Sequence, residues 1–263
     1  MPELICKFSF FFVNCLRNIN LDIEFFKPSD LKITPCFFCI IMLFGIFICH
    51  APLFAQKVHP TKHLPVMEYR STGDVGYYVI FLSGNGGLRN LVQSVTHYLN
   101  SKNVSVIALN SKKYFWSKKM PEQIGCDLES LMDQCNIKWG EKKVVIIGFS
   151  MGAEVLPFAV NCMADKYRNE INDMILIAPW QKATFKVKLR DFYLEVNEGS
   201  DIYSELIALK PKKAYVICDN NHLSICHKDL DGLIDHDLLG GGHHFGGHYS
   251  ILSQMIGKRL NLQ

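Results

Sequence analysis

The 263-residue chain carries no marked excess of charge of either sign: 28 Lys and Arg against 25 Asp and Glu leave a formal +3. These charges are scattered, so bulk electrostatics give no footprint for nucleic acid or another polyanion, and any anion binding has to be local. Internal repeats and low-complexity tracts are absent as well, which sets aside solenoids and flexible arrays. The chain also lacks the charge-rich, aromatic-poor signature of disorder, because 49% of it is apolar and 20% charged, the balance of a protein able to bury a core. His222, Cys226, His227, His236, His243 and His244 fall close together and suggest a metal site. No pair among them has the HExxH or CxxC spacing that makes such a site specific, so neither a metal nor another cofactor is expected. The length suits one large domain.

What the chain does have is one long apolar run. Cys36 to Cys49 reads CFFCIIMLFGIFIC, with Lys27 and Lys32 before it and His50, Pro52 and Ala55 after it. A basic flank, an apolar core and a small residue at a cleavage point is the order of an export signal. Counting on to Ala55 gives about 20 residues, near the minimum for a spanning helix, so an uncleaved membrane anchor competes with cleavage. A buried helix of an N-terminal extension is the third reading. Residues 1–55 are therefore assigned to a leader and 66–263 to the folded domain. Cys6, Cys15, Cys36, Cys39 and Cys49 belong to the leader, which leaves Cys126, Cys135, Cys162, Cys218 and Cys226. An odd count means a free thiol or an intermolecular bond. In an oxidising compartment Cys218 and Cys226 are placed to close a short loop, the alternative being that Cys162 and Cys218 are small buried hydrophobes.

From Val66 onward short apolar runs alternate with longer amphipathic ones. YYVIFLS (77–83), VSVIALN (104–110), KVVIIGF (143–149), MILIAP (174–179) and KAYVIC (213–218) are apolar on both parities, as strands of a parallel sheet covered on both faces are. Residues 90–99, 121–135, 153–164 and 248–260 have helical spacing, with Pro121 suited to a first turn. Such alternation predicts a doubly wound α/β domain with a mostly parallel sheet.

The chemistry centres on Gly148-Phe149-Ser150-Met151-Gly152. This GxSxG follows VVII at once and precedes the amphipathic AEVLPFAVNCM, so Ser150 sits at a strand-to-helix turn where small neighbours relieve crowding. A nucleophilic serine there, with Met151 beside it at the helix N-terminus, has amides positioned for developing negative charge. The alternative is a glycine-rich connection whose serine caps the helix. Ser83-Gly84-Asn85-Gly86-Gly87 follows the first long strand and occupies the place of the second oxyanion donor in an α/β-hydrolase. A general base is expected later in the chain. Gly240-Gly241-Gly242-His243-His244-Phe245 provides it, with His243 the first choice and His244 the second, while His248 is a candidate for capping or lining the site. Asp219, at the end of KAYVIC, is the expected acid that orients the imidazole. Asp229, Asp231 and Asp235 come later and read as solvated carboxylates.

These segments together resemble a known family. SGNGG, LNSKKYFWSKKMPEQIGCDLE (109–129), IIGFSMGAEVLPF (146–158) and GGGHHF occur in the order seen in the VirJ/AcvB virulence proteins, and the Tyr-Phe-Trp-Ser and Pro-Glu-Gln stretch is the most specific of them. The resemblance implies an α/β-hydrolase of the bacterial periplasm that cleaves an ester, with aminoacylated phosphatidylglycerol as the substrate class. It also implies an association with virulence or type IV secretion, and hence contact with a membrane surface or secretion components. It maps the nucleophile onto Ser150, the base onto His243 and the oxyanion region onto 83–87. Two departures stand out: Asn85 where the family usually has aspartate, and Asn220 and Asn221 where acidic residues usually follow the late strand. A non-catalytic accessory protein on the same fold is the competing function, since fold does not fix activity. Thr184 to Phe192 (TFKVKLRDF) alternates so that Lys186, Lys188 and Arg190 share one face of an expected strand. That row suits either a phosphate or a lysine-protected sheet edge.

Overall fold

The computed structural model describes residues 64–188, 198–209 and 214–262; the apolar leader lies outside them. The chain enters the sheet at β1 (Val66–Tyr69) and β2 (Tyr77–Leu82), crosses through α1 (Asn90–Ser101), and returns along β3 (Val106–Leu109). A short α2 (Ser111–Tyr114) and the long α3 (Pro121–Trp139) lead to β4 (Lys143–Phe149), α4 (Met151–Cys162), α5 (Asp165–Glu170) and β5 (Ile171–Ile177). A two-stranded ribbon of β6 (Lys182–Ala183) and β7 (Ser200–Asp201) precedes α6 (Ile202–Ala208), β8 (Ala214–Cys218), β9 (Asp235–Leu238) and the closing α7 (Tyr249–Arg259). The main sheet has seven strands in the order β1-β3-β2-β4-β5-β8-β9, parallel throughout except for β1 on the edge.

Both parities of the central strands β2, β3, β4, β5 and β8 are apolar because both faces are covered. Tyr78, Ile80 and Leu82 of β2 join a core with Ile124, Leu128 and Leu131 of α3 and Val155 and Leu156 of α4. Val79 and Phe81 point the other way, into Leu91, Val95 and Leu99 of α1 and Leu252 and Ile256 of α7. Each such side chain, removed fully from water, contributes roughly 1.5–3 kcal/mol. Helix α3 starts where Pro121 fixes its first turn and Met120 N donates to Gln123 Oε1 at 3.1 Å, and it stops at Gly140, whose φ is 85°. Among the described residues no helix is long and apolar enough to cross a membrane.

The order of strands positions the site. After β2 the chain moves outward to β3 and then returns to the opposite side of β2 as β4. Loops leaving the carboxyl ends of β2 and β4 therefore diverge and leave a crevice, the usual ligand position of an open α/β sheet.

Two sequence expectations need correction. The described part of TFKVKLRDF does not continue as a strand: β6 ends at Ala183, and Thr184 to Lys188 run irregularly. Their backbone is committed to another partner, Lys119 N donating to Phe185 O and Val187 N to Phe115 O, so the alternation of lysines does not make a sheet face. Lys188 lies 3.8 Å from Glu198, and Arg190 falls outside the described residues. Among the cysteines, Cys218 is bonded to Cys226 while Cys162 is exposed. The alternative of two small buried hydrophobes fails for Cys162, whereas Cys218 is buried as well as bridged.

Candidate active site

Three strand ends converge on one hydrogen-bonded chain. Ser150, at the end of β4, has φ 51° and ψ −124°, a conformation unfavourable for any residue with a Cβ. The turn persists because its surroundings are fixed: Ser150 N donates to Ile177 O at 2.9 Å, and Ser150 O accepts from Glu154 N at 2.9 Å. The flanking glycines are steric requirements. A Cβ on Gly148 would lie 2.6 Å from Ala153 N, and one on Gly152 would lie 2.3 Å from Leu82 O.

His243 Nε2 stands 2.8 Å from Ser150 Oγ, and His243 Nδ1 stands 2.9 Å from Asp219 Oδ2. The Asp219 side chain is fully buried. As a carboxylate it only accepts, so Nδ1 carries the ring proton and donates to it, which leaves Nε2 to accept from the serine hydroxyl. The imidazole is clamped by aromatic rings, stacked 5.5 Å from Phe149 and tilted 4.9 Å from Trp180.

The histidine loop is held in place by groups outside the triplet. Residues Gly242–Gly247 form two tight 3-10 turns that meet at a kink across His244–Gly246. Phe245, at φ 53° and with no exposed surface, buries its ring in the core and anchors this segment. Gly241 has φ 101°, and a Cβ there would lie 2.4 Å from Gly246 N. Asn220 Oδ1 accepts from Gly242 N at 2.7 Å, tying the loop to the residue after Asp219. On the other side of Asp219 the Cys218–Cys226 disulfide closes the loop that follows β8.

The Ser83–Gly87 segment folds as a turn in which Gly87 N donates to Gly84 O at 3.0 Å. Gly84 packs on the serine, since a Cβ there would be 3.1 Å from Ser150 Cβ, while Asn85 and Gly86 are partly exposed at the tip. Ser83 has a different task from the substrate contact its sequence position suggested. Its hydroxyl is fully buried, accepts from Ser111 N at 2.9 Å and donates to Gly84 O at 3.2 Å, so it fastens the turn to α2. Met151 buries its side chain in the core and leaves at the site only its amide, one of the first-turn donors with no helical acceptor.

The remaining expected residues fall to the side. His244 is exposed and lies near Phe149 and His243, at 5.9 and 5.5 Å between ring centroids. Its pKa is lowered from the ordinary histidine value, first by desolvation and then by the neighbouring His243. His248 stands at the N-cap of α7 without a side-chain capping bond. Asp229 caps its own turn through Asp231 N, Asp231 lies 3.7 Å from His236, and Asp235 pairs with Arg259. The histidine and cysteine cluster disperses as well. Cys226 is in the disulfide, His227 meets Asn221 O, and among the described residues no three His, Cys, Asp or Glu side chains are grouped to hold a metal. Trp180 escaped the sequence reading, as did the role of Asn220, which was noted only as a departure from the family. A tryptophan directly after the strand 174–179 was the available signal for the first, whereas the role of Asn220 depends on a contact 22 residues along the chain.

Similar folds are found among solved structures. MenH from S. aureus matches with a TM-score of 0.53 and 12% identity over 76% of this chain and 98% of that one. Est1E from Butyrivibrio proteoclasticus gives 0.52 and 10%, over 74% and 94%. An alpha-beta serine hydrolase homologue from Coxiella burnetii gives 0.52 and 14%, over 74% and 90%. At such identities the likeness is one of fold, and the fold is that of the α/β-hydrolases. No curated protein matches the sequence. The family model for the bacterial virulence protein VirJ matches residues 76–263.

Proposed function

This chain belongs to the VirJ family of bacterial virulence proteins, and on that basis we propose that it is an envelope serine hydrolase that cleaves a carboxylic ester through an acyl-enzyme. The observation that carries the reading is the chain Ser150 Oγ to His243 Nε2 at 2.8 Å and His243 Nδ1 to Asp219 Oδ2 at 2.9 Å. Nucleophile, base and orienting acid stand within hydrogen-bond reach without rearrangement.

In the first half-reaction the Ser150 oxygen bonds to the acyl carbon as its proton passes to His243 Nε2. Charge gathers on the former carbonyl oxygen, where the Met151 amide and the amides of the Gly84–Asn85 stretch are the donors at hand. Such donors are each worth about 3 kcal/mol in the transition state. Collapse breaks the bond to the alcohol, which takes the proton from His243. Water then repeats the sequence on the acyl-serine and releases the acid. Asp219 keeps its charge throughout, holding the tautomer and stabilising the imidazolium.

Family membership supports aminoacyl-phosphatidylglycerol as the ester class, the periplasm as the compartment and a role beside type IV secretion. The Cys218–Cys226 disulfide is in keeping with an oxidising compartment. The altered position after β8 favours a non-catalytic reading, against which the contact between Asp219 and His243 supports the catalytic one.

The test is covalent labelling with a fluorophosphonate. The purified chain should be labelled and the Ser150→Ala variant should not. Labelling that persists in the variant, or fails in the parent chain, overturns the proposal.

A further inference from the structure

Across the Gly84–Gly87 turn from Ser150 lies an open cavity of about 640 Å³. Gly86 and Gly87 line it, and its charged wall is Arg89, Lys112 and Lys113. Met67 and Trp116 supply the apolar wall, although they are 50% and 60% exposed, and among the described residues no carboxylate lines the cavity. Large apolar side chains left in water beside converging cations, in a protein with a formal charge of only +3, mark a binding surface.

We propose that this cavity is the subsite for a phosphate group carried by the ester substrate, with the apolar wall receiving the carbon skeleton next to it. Three cations suit a group that spreads negative charge over several oxygens better than a lone carboxylate. The cavity and the reactive centre form one rigid unit. Lys112 and Lys113 lie on α2, whose start is fixed by Asn110 Oδ1 accepting from Lys113 N at 3.2 Å and by Ser83 Oγ accepting from Ser111 N at 2.9 Å. Asn110 also packs on Gly87, where a Cβ would come within 3.1 Å of Oδ1 and where φ is 78°. One four-residue turn, under about 7 Å across, separates the cavity's floor from Gly84 on the serine. A phosphate held here sets the register of the ester over Ser150, which is how remote binding serves a reaction. The cationic contact is thus assigned to Arg89, Lys112 and Lys113 in place of the row expected at Lys186, Lys188 and Arg190.

The proposal rests on the hydrolase reading, and the experiment separates the two. The parent chain, a triple variant (Arg89→Ser, Lys112→Ser, Lys113→Ser) and a distant charge control, Lys258→Ser, are assayed on p-nitrophenyl acetate and on acetylglycerophosphate. Circular dichroism checks that each is folded. The triple variant should raise KM for the phosphate ester by about tenfold or more, the loss of at least one charge-assisted contact, and so lower its kcat/KM relative to the neutral ester. Lys258→Ser should leave the ratio alone. An unchanged ratio overturns the subsite. If the parent chain cleaves neither ester, the hydrolase reading falls. The subsite is then judged by titrating glycerophosphate against tryptophan fluorescence: a saturable change lost in the triple variant supports it, and no change overturns it. Sedimentation with phosphatidylglycerol but not phosphatidylcholine vesicles identifies a lipid headgroup as the source of the phosphate. Glycerophosphate binding without sedimentation identifies a soluble ester.

Discussion

Replacing Asp219 by Asn removes one charge while leaving the side chain's shape nearly intact. In the parent chain the carboxylate is fully buried 2.9 Å from His243 Nδ1. When His243 accepts the serine proton, the imidazolium that forms faces this carboxylate. Two unit charges about 4 Å apart at an effective dielectric near 20 attract by about 4 kcal/mol. At about 1.4 kcal/mol per tenfold in rate, its loss slows the reaction by roughly 10³-fold. An amide in place of the carboxylate also permits the wrong tautomer, which brings the expected fall in kcat to about 10⁴-fold. The assay is steady-state hydrolysis of p-nitrophenyl acetate beside the rate of fluorophosphonate labelling, with thermal melting as a control. Asp219 Oδ1 has no hydrogen-bond partner among the described residues, so the fold does not depend on both oxygens and melting should change little. A loss of less than tenfold, in a variant that melts like the parent, refutes the reasoning and moves the acid's role elsewhere.

Three further outcomes follow from the same geometry. Ser150→Gly should abolish labelling yet raise the unfolding free energy by about 1 kcal/mol, since relief of backbone strain worth about 1–3 kcal/mol exceeds the added chain entropy of glycine; urea unfolding that shows destabilisation contradicts this. Cys226→Ser opens a nine-residue loop and should lower stability by about 2.5 kcal/mol, with a fall in kcat that added reductant reproduces in the parent chain; equal activity with and without the bridge would show that it does not hold Asp219. His244 has a folded pKa below its ordinary 6.5, so under that pH the unfolded chain takes up a proton before the folded one and stability falls as pH drops through the interval. His244→Gln should flatten that slope, and an identical slope in denaturant melts from pH 7 to 5 rejects the assignment.

How much of this was legible in the sequence depended on range. Five of the parallel strands, β2, β3, β4, β5 and β8, were visible because burial on both faces erases polar alternation, as in VVII before Ser150. β1 was missed because VMEY is a short edge strand with Met67 and Glu68 exposed. Ser150, His243 and Asp219 were readable because each follows an apolar strand or a glycine run in the chain order this fold requires. The row of Lys186 and Lys188 misled because alternation records a pattern and not a partner: the backbone there bonds to residues 115 and 119. The cavity beside Gly87 was invisible for a related reason. Met67, Arg89 and Trp116 sit on three separate segments and meet only once β1 is paired antiparallel to β3 and α2 is folded back on Ser83.

The fastening of the three loops also gives Asn220 a physical reason. The resemblance to VirJ proteins leads one to expect an acidic residue there, and its absence weakened the case for a working acid. Yet the position accepts a bond from Gly242 N, a task that needs only a side-chain oxygen. An asparagine meets it as well as an aspartate and adds no second negative charge next to Asp219. A second carboxylate would add negative charge near the imidazolium, whereas the amide leaves that charge to Asp219 alone. Asn220→Asp should therefore keep the loop closed and the melting temperature near that of the parent while altering the pH dependence of kcat/KM, and Asn220→Ala should loosen the His243 loop and lower kcat without that change in profile. Indistinguishable pH profiles for the parent and Asn220→Asp would show that the residue acts on the loop's position and not on the charge around the base.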